Sequence, residues 1–265
     1  MKINYHTHHE LCGHAGGTCE DYVKEALVQS FTELGFSDHA PFDKYNLGFR
    51  MNDADLDEYL RDIETVQKTY GDRLTIKKGI EAEYWYTEGE YLQELRSKLD
   101  YMILGQHFIS MTFDDTDLIS TFALSMPEHL DVYATYLCDA MQSGHYDMIA
   151  HPDLYMHGYL NFDEHAKRAA HKICSCAEAT AVILEFNANG YRRARVDTPQ
   201  GRVHPYPRTE FWDIAEQYEV RTILNSDCHS PGHLYDDTIR AAEEAYQFRS
   251  MIKITTWSEI NRNSR

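Results

Sequence analysis

Lys2-Ile3-Asn4-Tyr5-His6-Thr7-His8 opens the chain, and His9 to Cys12, Gly13 and His14 follow it directly. The run Ile3–His8 has the composition of a short strand, and residues two apart on a strand point to one face. His6 and His8 therefore aim their imidazoles at a common point. The same ending recurs along the chain. Further strands are predicted over Gly35–His39, Thr75–Tyr84, Tyr101–Ile109, Met148–His151, Val182–Asn187 and Arg221–Ser226. Asp38 and His39 end the second, Glu81 and Glu83 lie late in the third, His107 lies late in the fourth and His151 ends the fifth. Asp227 and His229 follow the seventh, again two apart, and His14 sits in the loop after the first.

Amphipathic stretches fill the intervals. Thr18, with Asp21 three residues on, reads as the N-cap of a first helix. Leu56, Leu60, Ile63 and Val66 recur at helical spacing. A third helix is predicted to begin near Ser125, with Pro127 in its first turn, Glu128 at the capping-box position, and Leu130, Tyr133, Leu137 and Met141 on its buried face. Later helical patterns run over residues 163–180, 208–218 and 235–252. Seven strand–helix units predict an α/β fold with a parallel sheet, closed into a distorted seven-stranded (β/α)7 TIM-like barrel whose site lies at the C-terminal strand ends. An open doubly wound sheet is the alternative. No Gly/Pro/Ser-rich linker divides the chain, so one domain over residues 1–265 is expected.

Of 265 residues, 43% are hydrophobic, enough for a sizeable core. Lys and Arg number 25 against 43 Asp and Glu, a formal charge of -18. That balance weighs against an extended nucleic-acid interface, while a small phosphorylated substrate stays compatible because bound cations invert the local field. Cys12, Cys19, Cys138, Cys174, Cys176 and Cys228 include no CxxC pair and read as reduced thiols of a cytoplasmic protein. No apolar run suggests a targeting or membrane segment.

Any one of these histidines, taken alone, reads as an ordinary hydrogen-bonded or surface residue. Seven histidines and two carboxylates at one end of a barrel are different, because such a crowd needs partners or bears a desolvation cost. Imidazole with carboxylate, and no thiolate required, suits Zn, Mn or Fe. Nine ligands exceed the needs of one ion, so two or three are expected. Cys12 and Cys228 read as packing neighbours.

The segment HTHHELCGHAGGTCEDYV resembles the opening motif of the polymerase-and-histidinol-phosphatase (PHP) family; GFSDHAPF, GIEAEY, LGQHFI, AHPDL and SDCH resemble its later motifs. The likeness spans about Lys2 to Asp236, and FNANGYRR followed by HPYP is similar to the histidinol-phosphatase branch of that family. The resemblance implies a distorted seven-stranded barrel. It implies one ion on His6, His8, Glu81 and Asp227, a second on Glu81, His107 and His151, and a third on His14, His39 and His229. It also implies hydrolysis of a phosphate monoester, with L-histidinol phosphate as the expected substrate and a place in histidine synthesis. On this expectation, a water acidified by two such ions would attack phosphorus in line with the leaving oxygen.

Glu81, Asp227 and His229 are the expected catalytic groups, with leaving-group protonation open between Asp227 and His229. Arg192 and Arg193 follow the sixth strand and suit phosphate binding, since guanidinium binds phosphate oxygens bidentately; Arg195 is a weaker candidate. Glu83 reads either as support for a ligand or as simple polar lining, and Asp38 as a structural hydrogen-bond acceptor. His9, His157, His204 and His233 could reach the pocket from loops. Asp114, Asp115 and Asp117 could meet an amino group, or form a solvated charge run. Other PHP chemistries (nuclease, tyrosine phosphatase, broad small-molecule phosphatase) and a metal-binding module without turnover are the competing readings. Amidohydrolase-type C–N hydrolysis is disfavoured, since Glu81 stands where a carboxylated Lys would be.

Overall fold

The computed structural model describes residues 2–45, 47–199 and 201–260. Eight parallel strands form one sheet in chain order. They are β1 (Lys2–Asn4), β2 (Phe31–Phe36), β3 (Thr75–Ala82), β4 (Tyr101–Leu104), β5 (Met148–Ile149), β6 (Ile183–Asn187), β7 (Arg221–Asn225) and β8 (Ile252–Lys253). Helices lie between them: α1 (Cys19–Val28), α2 (Leu56–Tyr70), α3 (Gly89–Ser97), α4 (Pro127–Ser143), α5 (Glu164–Thr180), α6 (Thr209–Ala215) and α7 (Asp237–Gln247). The expected α/β architecture with a parallel sheet is present. The count of seven strands is corrected to eight.

The eighth strand explains how the sheet curls. At its start β7 pairs with β8, Arg221 with Ile252 and Thr222 with Lys253. At its far end the same side of the chain meets the segment after β1, through a single parallel bridge between Thr7 and Cys228. Between these points two asparagine side chains replace the ladder. Asn225 Oδ1 accepts from the Tyr5 amide at 2.9 Å, and Asn4 Oδ1 accepts from the Ser226 amide at 2.7 Å. The sheet therefore curls almost shut, with the closure concentrated at its C-terminal end.

Inside the curl, Tyr5, Tyr101, Ile103, Met148, Ile183 and Ile223 pack as one buried cluster. Tyr101 fills space that glycine leaves. A Cβ on Gly79 would lie 2.2 Å from its ring, and its hydroxyl donates to the carbonyls of Tyr5 (2.6 Å) and Phe36 (2.9 Å). This plug forms the floor beneath the strand ends. Outside, the apolar faces of the helices cover the sheet, with Tyr59, Ile63 and Val66 of α2 and Leu130, Tyr133, Leu137 and Met141 of α4 buried. The Thr18–Asp21 capping box starts α1 as predicted.

Several boundaries differ from the sequence expectation. Met126, not Ser125, precedes α4, and it makes no side-chain cap. The run Tyr101–Ile109 breaks after Leu104, and Phe108–Ile109 pairs instead with Ile119–Ser120 as a small hairpin. Helix α3 was not predicted, because it begins at a glycine behind an uncapping Glu88. The last helical pattern stops at Gln247 and gives way to β8.

Candidate metal centre

Glu81, the penultimate residue of β3, stands at the middle of a ring of imidazoles and is 1% exposed. Its Oε2 lies 3.2 Å from His6 Nε2, 3.4 Å from His8 Nε2 and 3.1 Å from His39 Nδ1. Its Oε1 lies 3.3 Å from His151 Nε2 and 3.7 Å from His107 Nε2. Asp227 Oδ1 faces the same two leading imidazoles, 3.2 Å from His8 and 3.5 Å from His6. The remaining pair completes the ring: the His229 ring stacks on His8 at 4.3 Å, and His14 lies 4.6 Å from His229 and 5.5 Å from His39. All nine sequence-predicted ligand residues are thus brought together. Most leave a strand end by a few residues. His6 and His8 follow β1, His39 follows β2, His107 follows β4, His151 follows β5, and Asp227 and His229 follow β7.

The ligand atoms fit cations. His6 Nε2, His8 Nε2, His39 Nδ1 and both Glu81 carboxylate oxygens are buried with no hydrogen-bond partner among the described residues. Such groups are costly to bury unpaired. Ligand atoms lie within 4.8 Å of one another in His6–His8–Glu81, in His39–Glu81–His107, in His8–His39–His229 and in Cys12–His14–His39. Cys12 therefore comes within ligand distance, although its thiol contacts His8 Nδ1 at 3.4 Å and burial pushes its pKa up.

Electrostatics divide the cluster. Burial alone would lower His6, yet the carboxylates of Glu185, Asp227 and Glu81 raise it well above the ordinary imidazole range. Burial would raise Glu81, but His39 and His6 hold it well below the usual carboxylate range. Burial, with the neighbouring His8, pushes His229 down to about 3, so it presents a lone pair.

A further shell orients these rings. Glu185, fully buried on β6, accepts from His6 Nδ1 at 2.8 Å and from the His151 amide at 3.1 Å, and is itself held by Asn187 and Asn225. Glu83 accepts from His107 Nδ1 at 3.2 Å and forms a two-bond pair with Arg50 at 2.9 and 3.0 Å. Burial would raise the Glu83 carboxyl, but Arg50 overcomes it and holds it down at about 2. His229 Nδ1 donates to the Asp227 carbonyl and His14 Nδ1 to the Cys12 carbonyl, each at 3.1 Å, so the opposite ring nitrogens face the cluster. Asp38 supports His9, at 2.5 Å from its Nδ1, and not His39. His151 (φ 32°) and Asp227 (φ 46°) adopt left-handed backbone, a strained choice for residues with a Cβ.

The cluster opens into a cavity of about 570 Å³ whose walls include Phe49, Phe108, Phe122, His157, Arg193 and Tyr206. That is the size of a small-molecule site. Arg193 lies at the wall, its Nε 3.4 Å from the Tyr206 hydroxyl. Arg192 does not reach it. Its guanidinium pairs with Asp236 at 2.7 Å and with the His233 carbonyl at 3.0 Å, so the expectation for Arg192 is corrected. Arg195 contacts His204, which stacks on Tyr191. Of His9, His157, His204 and His233, His157 alone is among the described residues that line the cavity. Asp114 accepts from Thr112 and Thr116 within its own turn, and Asp115 accepts from the Thr87 amide, so this acidic loop serves local structure.

Sequence reasoning missed Arg50, Glu185 and Tyr206. Glu185 and Asn187 were legible, being two polar residues at period two in an otherwise apolar strand. Arg50 stands in an aperiodic loop with no signal.

Residues 4–189 match the PHP domain model. The chain belongs to the PHP domain family. It is 28% identical over 239 residues to a probable histidinol-phosphatase of Deinococcus radiodurans, covering 86% of each chain. A probable histidinol-phosphatase of Schizosaccharomyces pombe is 29% identical over 259 residues, covering 87% of this chain and 81% of the relative. Among solved structures, a histidinol phosphate phosphatase of Lactococcus lactis, complexed with zinc, L-histidinol and phosphate, superposes with a TM-score of 0.74 at 19% identity, covering 98% of this chain and 97% of the other.

Proposed function

We propose that the chain is a metal-dependent phosphomonoesterase that hydrolyses L-histidinol phosphate to L-histidinol and phosphate, a step of histidine synthesis. The carrying observation is the set of buried, mutually facing ligand atoms of His6, His8, His39 and Glu81 that have no hydrogen-bond partner among the described residues. The named activity of the relatives and the zinc, L-histidinol and phosphate of the Lactococcus lactis complex support the substrate.

Two or three divalent ions, with Zn, Mn or Fe compatible, would be held by His6, His8, Glu81 and Asp227, by Glu81, His107 and His151, and by His14, His39 and His229. When bound, such ions supply an acidified water and charge neutralisation at phosphorus. Glu81 sets the spacing of the ligand groups, since both its oxygens face imidazoles. Arg193, fixed by the Tyr206 hydroxyl, donates to phosphoryl oxygens as charge redistributes. Asp227 and His229 line the cavity, and either would orient the water that gives the leaving oxygen its proton. Glu185 and the Arg50–Glu83 pair keep His6 and His107 from rotating away. The chain acts as a single barrel domain in the cytoplasm; among the described residues no helix is long and apolar enough to cross a membrane.

The test is kcat/KM for L-histidinol phosphate against glycerol phosphate, phosphotyrosine and a short single-stranded DNA. A preference of at least about tenfold for L-histidinol phosphate supports the reading. Equal rates across the esters would discard the named substrate, and cleavage of the DNA would move the protein to the nuclease class.

A further inference from the structure

Phe49 is 73% exposed yet lines the cavity beside the imidazole cluster. Its backbone is left-handed (φ 50°), directly after Gly48 at φ 65°. Left-handed backbone is strained for an aromatic residue, and here it sets the ring over the mouth, edge-on to His14 at 5.5 Å between centroids. Of the other lining aromatics, Tyr206 is buried and Phe122 is already packed. Phe122 stacks on His107 at 6.2 Å, meets His157 edge-on at 5.0 Å and has the Arg193 guanidinium 5.9 Å from its ring. Phe49 is the most exposed of the described lining aromatics and still has a face to cover. The only carboxylates among the described lining residues are Glu81 and Asp227, both within the imidazole cluster. The distal part of a substrate therefore meets no carboxylate outside the cluster, and Phe49 and Phe108 offer it apolar surface beside Ser120, Asn189 and His157.

We propose that Phe49 is a specificity-determining residue that covers an aromatic or heteroaromatic ring on the leaving alcohol of a phosphomonoester. This rests on the phosphomonoesterase reading, and with L-histidinol phosphate the ring would be its imidazole. A ring stacked on Phe49 loses water from both faces and gains the offset or edge-to-face contact that an alkyl group cannot make.

The experiment compares kcat/KM for L-histidinol phosphate with that for glycerol phosphate in the metal-loaded wild type and in Phe49→Ala, Phe49→Leu and Phe49→Trp. Because Phe49 is exposed, none of these changes removes core packing. The selectivity ratio should fall about tenfold in the Ala and Leu variants, with the loss carried by KM for the ring-bearing ester, and should return in the Trp variant. An unchanged ratio in all three, or full recovery by Leu, overturns the proposal. If the wild type does not turn over L-histidinol phosphate, the substrate reading fails by itself. Phenyl phosphate against glycerol phosphate then decides Phe49 by the same two outcomes.

Discussion

Arg50 never touches the imidazole cluster's ligand atoms, yet it fixes how one of them is presented. Its pair with Glu83 is almost fully buried, with side-chain exposures of 9% and 0%. Removing the cation alone leaves a buried carboxylate with the His107 imidazole in place of its ion pair. Arg50→Met is therefore expected to lose about 3 kcal/mol in urea unfolding, and to weaken metal binding on the order of 10-fold in chelator competition as His107 loses its orientation. Gly105 sets a sharper constraint, because a Cβ there would lie 2.0 Å from Glu81 Oε1. Gly105→Ala should displace the carboxylate. Metal content by elemental analysis should drop while the far-UV circular dichroism is kept; full metal occupancy in this variant would contradict the central place given to Glu81. At this scale the sequence displayed the nine residues of the cluster, because all but His14 combine a side chain able to ligate with a place at or near a strand end. It concealed the choice between Arg192 and Arg193, since adjacent residues after a strand point differently and only the partner Asp236 decides which one turns away.

Apart from Glu81, which lies within β3, the cluster residues sit on extensions beyond the strand ladders, and hydrogen bonds from buried side chains hold several of those extensions. Asn4 is the clearest case. It accepts from the Ser226 amide, and its Nδ2 donates to the His6 carbonyl at 3.1 Å and to Thr7 Oγ1 at 2.6 Å. Asn4→Ala should cost about 2 kcal/mol in urea unfolding by leaving the Ser226 amide unpaired, and should lower turnover because His6 and Asp227 flank the lost bonds. Thr18→Ala, which breaks the exposed capping box of α1, should cost about 1 kcal/mol and leave turnover intact. Equal effects of the two on turnover would contradict a local role for Asn4. Long amphipathic helices and the apolar strands were readable from periodicity alone. The two-residue β8 was not, since so short a strand has no alternation to read, and its cover of the sheet's open edge depends on a partner more than 20 residues earlier in sequence.

Across the whole molecule the charge of -18 and the cluster of unpaired ligand atoms point the same way. Cations held by this cluster would stabilise the folded chain, since the unfolded chain cannot hold them in this geometry. Chelation should lower Tm by several degrees, and Zn or Mn should restore it, as read by differential scanning calorimetry; a Tm indifferent to chelator would contradict metal-linked folding. The most direct test is phosphate release from L-histidinol phosphate by protein stripped with chelator and then given Zn or Mn back. The account predicts no release from the stripped protein, recovery on adding metal, and none at any stage from Glu81→Ala. Undiminished release from stripped protein, or full release from Glu81→Ala, would contradict it.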